Sequence, residues 1–239
     1  MGNRALGLVK DFLRHVDPVL GSRYSAVLYG SAARGDWEAD RSDINLLLVA
    51  DALDAAALRG LGPPLTGLPE AWRSLPLIME RGEWERAGDV FPIELTDMHL
   101  AHLTLRGADP LIGMRADPAS LRTALEREFR TKLLRLRQGY AVRAADPAAL
   151  GRFAAGTLGA VLVLARATLV LTGRPVPSDT AAVVEEFAAV TGAPAASLRL
   201  LLAHRSEQEW SCTGPQFEDY LAAVATATAY LDLHQPGVP

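Results

Sequence analysis

The sequence predicts an α+β chain: a mixed sheet with flanking helices over residues 1–115, then an all-α helical bundle over residues 116–239. Three observations predict it. Short apolar runs bounded by glycine, proline and polar residues recur through the first half, as strands do. From Asp117 onward these runs vanish. Long helical patterns replace them, separated by proline or glycine breaks, and four or five such helices with short connections suggest a bundle.

The first half alternates. Residues 3–15 pattern as a helix that stops before Pro18, because proline disfavours helical geometry in the residue ahead of it. The apolar run 24–29, ending at Gly30, reads as a strand, and 44–49 as a second one. Residues 51–61 read as a helix ended by Gly62-Pro63-Pro64. Short strands are expected at 77–79, 91–96 and 102–105. The second half is expected to hold helices at 118–143, 147–172, 178–191, 194–205 and 214–233, with Ser178 and Thr213 as N-caps.

At 239 residues the chain suits one large domain or two smaller ones, and 49% hydrophobic residues are enough to bury a core. A net charge of −4 argues against a protein that coats nucleic acid. The single cysteine, Cys212, allows no intrachain disulfide, which fits a reducing compartment and a cytoplasmic location. Residues 153–172 are apolar enough to raise the question of a membrane span. Arg166 inside them would be costly in lipid, so a buried bundle helix is expected and no membrane partner. Self-association is left open.

The chemistry concentrates in residues 29–49, read as strand, Gly-Ser turn, one turn of helix, polar loop and strand. Gly30 lets backbone approach a phosphate with no Cβ in the way. Ser31 offers a hydroxyl and an N–H, and a helix beginning there would present free N–H groups to an anion. Arg34, with Asp36 near it, would steady the acidic loop, touch phosphate or simply form a surface ion pair. On the second strand, Asp43 and Asn45 share a face and lie about 7 Å apart at about 3.3 Å rise per residue.

Gly30-Ser31-Ala-Ala-Arg34-Gly35 followed by Ser42-Asp43-Ile44 resembles the signature of the polymerase-β-like nucleotidyltransferase superfamily. It is similar to the bacterial branch that includes aminoglycoside and small antitoxin-type nucleotidyltransferases. The resemblance implies the nucleotidyltransferase-fold sheet and a Gly-Ser turn that holds a nucleoside triphosphate, ATP first among candidates. It implies two strand carboxylates and a third from a later strand binding Mg²⁺ (or Mn²⁺). An acceptor hydroxyl then displaces pyrophosphate. Carried over, Gly30, Ser31 and Arg34 would bind the nucleotide, Asp43, Asn45 and Glu94 the metal, and Asp43 and Glu94 would be catalytic. Glu94 is chosen because Phe91, Ile93 and Leu95 would share one strand face and leave it on the other. Asp97 is the second choice and Glu80 the third.

The sequence departs from that pattern at position 45, an asparagine where the superfamily has Asp or Glu. An amide oxygen brings no negative charge, and two neighbouring Mg²⁺ ions depend on anionic ligands. The sequence therefore leaves open an active transferase, with unknown acceptor, and a weak or inactive nucleotide-binding regulatory or antitoxin-like protein. The arginines of the helix at 118–143 could meet phosphate or simply face solvent. Arg199 and His204 loosely resemble the Arg-x4–6-His pattern of HEPN-type RNases, which an ordinary helix also explains.

Overall fold

The computed structural model describes residues 2–39, 42–207 and 209–234. Asp40 and Arg41 of the motif segment lie outside them. The chain divides at Ala116/Asp117 into two compact units.

The first unit is a four-stranded sheet with helices on both faces. Its elements are α1 (Gly2–Leu20), β1 (Tyr24–Tyr29), α2 (Ser31–Arg34), β2 (Asn45–Ala50), α3 (Ala55–Thr66), β3 (Leu77–Glu80), α4 (Arg81–Trp84), α5 (Pro92–Leu100) and β4 (His102–Arg106). The strand order is β3-β2-β1-β4. β1 runs antiparallel to β2 and β4, while β2 and β3 are parallel and α3 lies between them in the chain.

Both central strands are apolar on both faces because both faces are covered. Tyr24, Ala26 and Leu28 of β1, with Leu46, Leu48 and Ala50 of β2, pack against α1 and α3 through Val9, Leu13, Val16 and Leu61. Val27, Leu47 and Val49 point the other way. They pack against Trp84 of α4 and Leu95 and Met98 of α5. The period-2 alternation of strand side chains therefore sorts the sheet into an α1 face and an α5 face.

Three expectations need correction here. Helix α1 does not stop before Pro18 but carries it in its last turn. Continuing keeps Val16 and Leu20 buried, and that burial offsets the hydrogen bond that Pro18 cannot make. Helix α3 starts later than expected, at an Asp54 cap that accepts from Ala56 and Ala57 N–H, and it runs through Pro63 and Pro64. The run at 91–96 is no strand at all. It begins α5, with Phe91 as N-cap and Pro92 at the first helical position, where a missing N–H costs nothing. Phe91, Leu95 and Met98 all pack in the α5-face cluster, at spacings i, i+4 and i+7. That is a helical stripe.

The second unit holds α6 (Pro118–Arg143), α7 (Pro147–Leu171), α8 (Thr180–Thr191), α9 (Ala195–Ala203) and α10 (Gly214–Leu233). Asp117, Asp146, Asp179 and Thr213 cap four of these helices by accepting backbone N–H groups. Asp179 takes the role expected of Ser178, its carboxylate accepting from Ala182 N–H at 2.8 Å. Helix α7 has the length and composition to cross a membrane, and it buries Leu150, Leu158, Val161 and Leu169 within this unit. Arg166 is buried with them and donates to Thr180 Oγ1 at 3.0 Å. On α6, Arg122 donates to the Leu231, Asp232 and His234 carbonyls at the end of α10. Arg130 pairs with Glu126 and Asp232, and the Arg143 guanidinium lies 4.7 Å above the Phe153 ring. Arg199 pairs with Glu185, and His204 stacks on Trp210 with ring centres 5.0 Å apart.

One polar tie fastens α1 to two strands. Asp17 accepts Tyr24 Oη at 2.5 Å and both Nε and Nη2 of Arg106 at 3.0 Å. The Arg106 hydrogen bonds hold the Asp17 carboxyl below its ordinary value. A depressed folded-state value stabilises the fold above the unfolded carboxylate pKa and loses that contribution as pH falls through the folded one. Asp17→Asn should therefore lower the melting temperature at pH 7, with the deficit shrinking below about pH 4. Circular-dichroism melts across pH check this, and a deficit unchanged at pH 3 would contradict it.

Candidate functional site

The site forms where β1 ends and β2 begins. Register places Asn45 and His102 on either side of Tyr29, so these three side chains lie in a row on the α5 face. Beyond Tyr29 the chain turns sharply. Gly30 has φ 72° and ψ −148°, a region that is essentially glycine's alone. Its carbonyl accepts the N–H groups of Ala33 and Arg34 at 3.1 and 3.0 Å, closing α2. Gly35, in the left-handed region at φ 92°, ends that helix.

Gly30 is also a point of close approach. A Cβ there would stand 2.8 Å from Asn45 Nδ2 and 3.2 Å from Asp97 Oδ2. The bend, the first residue of β2 and the middle of α5 therefore meet at one place. Arg34 completes the group: its Nη1 donates to Asp97 Oδ1 at 2.8 Å, and its Nε lies 3.6 Å from Asp36 Oδ1. The Arg34 and Asp97 side chains are 15% and 6% exposed, so this is a buried ion pair. Removing one partner of such a pair strands the other charge in a poorly solvating interior.

Helix α5 carries Glu94 and Asp97 three residues apart, on neighbouring positions of one helix side. Both act on Tyr29. Burial first, then the negative charges of Glu94 and Asp97, push the Tyr29 phenol well above its ordinary value. Glu94 is carried on a helix, not on the expected strand, and its charge is felt at Tyr29. Asp97, ranked behind Glu94 in the sequence, is the carboxylate that touches the bend. The sequence signal for it was the i, i+4, i+7 stripe, visible only when the window extends to Met98.

Asp43 lies in the irregular lead into β2 and is exposed, while Ile44 beside it is buried in the α1-face cluster. Ser31 opens α2, and Glu80 ends β3, where its Oε1 accepts the Leu53 N–H at 2.8 Å. His99 contacts the Met114 carbonyl and His102 contacts the Met98 carbonyl and Asp109. Among the described residues, no group of three or more His, Cys, Asp or Glu side chains comes together as a metal centre would require. Position 45 is an amide, and Asp97 is committed to Arg34. The donors among the described residues do not fit a resident two-metal centre.

No family model matches the chain, and no curated protein matches its sequence. Among solved structures it is similar to spectinomycin adenyltransferase AAD(9) from Enterococcus faecialis, solved with ATP and spectinomycin. The TM-score is 0.53 at 14% identity, covering 96% of this chain and 99% of that one. At that identity the likeness is one of fold alone, across the α+β unit and the helical one.

Gly30→Ala should destabilise the first unit by about 1–3 kcal/mol from backbone strain, with the contact against Asn45 adding to it. Asp97→Ala should cost about 3 kcal/mol or more by stranding Arg34. Urea unfolding of the variants checks both, and a loss below about 0.5 kcal/mol in either would contradict the packing described.

Proposed function

We propose that Gly30, Ser31 and Arg34 hold a nucleoside triphosphate, ATP first among candidates, and that its nucleotidyl group passes to an acceptor hydroxyl. The observation that carries this reading is the Gly30 bend. It is a glycine-only turn at which Asn45 and Asp97 close in on the backbone and Arg34 follows one helical turn later. The fold likeness to an adenyltransferase over nearly the whole chain supports the same reading.

In the proposed reaction the acceptor oxygen attacks the α-phosphorus. A new O–P bond forms while the bond to the bridging oxygen of the β-phosphate breaks. Pyrophosphate leaves, and the hydroxyl proton passes to the Glu94 carboxylate. Such transfers depend mainly on positioning and on stabilising phosphate charge. Mg²⁺ or Mn²⁺ enters this reading only as a companion of the nucleotide, with Asp43 and Asn45 as protein oxygen donors. The acceptor class proposed is a small hydroxylated molecule, as spectinomycin is for AAD(9). A cytoplasmic location is part of the proposal, and the lone cysteine, Cys212, supports it.

A second reading is favoured by two specific observations, the amide at position 45 and the pairing of Asp97 with Arg34. In it the site binds nucleotide without turnover, as a regulatory or antitoxin-like protein would.

Incubation with α-labelled ATP and Mg²⁺ or Mn²⁺ over a panel of hydroxylated acceptors separates the two. Transfer predicts pyrophosphate release that falls about a hundredfold in Asp43→Ala. Saturable ATP binding with no release supports the second reading, and neither binding nor release contradicts both.

A further inference from the structure

We infer that the outward face of α6 docks an acidic amphipathic helix of a partner protein. The inference concerns the second unit alone and does not rest on the nucleotide reading.

Helix α6 packs against α7 and α10, and its Leu125, Phe129, Leu133 and Leu136 are buried. The opposite side carries Arg127, Thr131, Leu134, Gln138 and Ala141, at spacings of four and three in alternation. That spacing forms the seam along which one helix packs on another. It runs for about 21 Å at about 1.5 Å rise per residue. Leu134, in the middle of the seam, is exposed, and so is Val142 at its edge.

The flanks of the seam have one sign. Arg130 and Arg137 lie along one side and Arg135 along the other. From Phe129 to Arg143 the helix has five cations and no acid. Arg130 is paired with Glu126 and Asp232. Arg135 and Arg137 are exposed and, among the described residues, have no acidic partner. Positions flanking a helix seam face the flanking charges of the partner helix and set which partner is accepted.

The charge pattern selects the occupant. A second copy of α6 would set arginine against arginine, which disfavours it. Glutamate or aspartate at the flanking positions of a foreign helix would meet Arg135 and Arg137 in favourable pairs. Phosphate or a lipid headgroup could meet the arginines, but a phosphate chain gives Leu134 nothing to bury against, and the ridge of a single convex helix suits another helix laid along it. The partner chemistry is therefore a helix with Leu or Ala on its seam and acids beside it.

The probe is a labelled helical peptide of about three heptads with Leu and Ala on the seam and Glu at the flanking positions, titrated by fluorescence anisotropy against the full chain. A twin peptide carries Lys in place of Glu. The Glu peptide is expected to bind with a dissociation constant below about 100 μM at low salt, at least about tenfold tighter than the Lys peptide. The double variant Arg135→Glu/Arg137→Glu should reverse that preference, and Leu134→Ser should weaken the Glu peptide about tenfold while keeping it. Circular dichroism shows whether the variants are folded, and the comparison of the two peptides on the unaltered chain stands without them. Equal binding of both peptides, or binding of neither, overturns the inference. So does binding of phosphatidylglycerol vesicles or of single-stranded RNA that is lost in the double variant while the Glu peptide fails to bind. ATP binding weakened in the folded double variant would give these arginines to the nucleotide and overturn the inference as well.

Discussion

A carboxylate buried in a protein must be paired, and Asp97 is paired with Arg34. That ion pair joins two parts of the chain that are 63 residues apart: the short helix after the first strand, and the middle of α5. Because the partner of Asp97 is an arginine on α2, α2 has to sit against α5. Because α2 follows directly from Gly30, the bend has to lie over Asp97 and Asn45. Gly30 permits this arrangement, since neither a side chain nor an ordinary backbone angle would fit there. Loss of the pair would leave a charge stranded and the bend without its support.

The sheet supplies the rest of the geometry through alternation. Tyr29, Asn45 and His102 share a face because they are directly opposed in register, and that face is the one α5 covers. Helices α1 and α3 cover the other face with a larger apolar cluster. Stability and site are thus divided between the two sides of one sheet. The apolar residues at even positions of β2 bind it to α1, while position 45 is left at the strand end beside the polar group. The Asp17–Arg106–Tyr24 tie anchors α1 to β1 and β4.

Much of this was legible in the sequence, and for physical reasons. The strands β1 and β2 are long apolar runs between glycine and polar segments. The helices α6 and α10 have proline at their first turn and an Asp or Thr cap before it. The bend declared itself through Gly30-Ser31 and Arg34. The failures share a cause. Pro18, Pro63 and Pro64 read as stops, yet burial of neighbours such as Val16, Leu20 and Leu61 carried the helices through them. In residues 91–96 three alternating apolar residues matched a strand as well as a helix, and only Met98 decides. That error hid Asp97, since the side it occupies follows from helical geometry. The pairing of Arg34 with Asp97 could not be read at all, because it depends on which side of the sheet α5 lands.

The Gly30 bend, framed by Arg34, Asn45 and Asp97, is the place proposed for a triphosphate. A crystal structure of the chain with a non-hydrolysable ATP analogue tests it most directly. Phosphate oxygens are expected within hydrogen-bonding distance of the Gly30–Ser31 backbone and of Arg34, with the Arg34–Asp97 pair intact. An analogue bound elsewhere, or phosphates at the bend with Arg34 turned away from both them and Asp97, would contradict it.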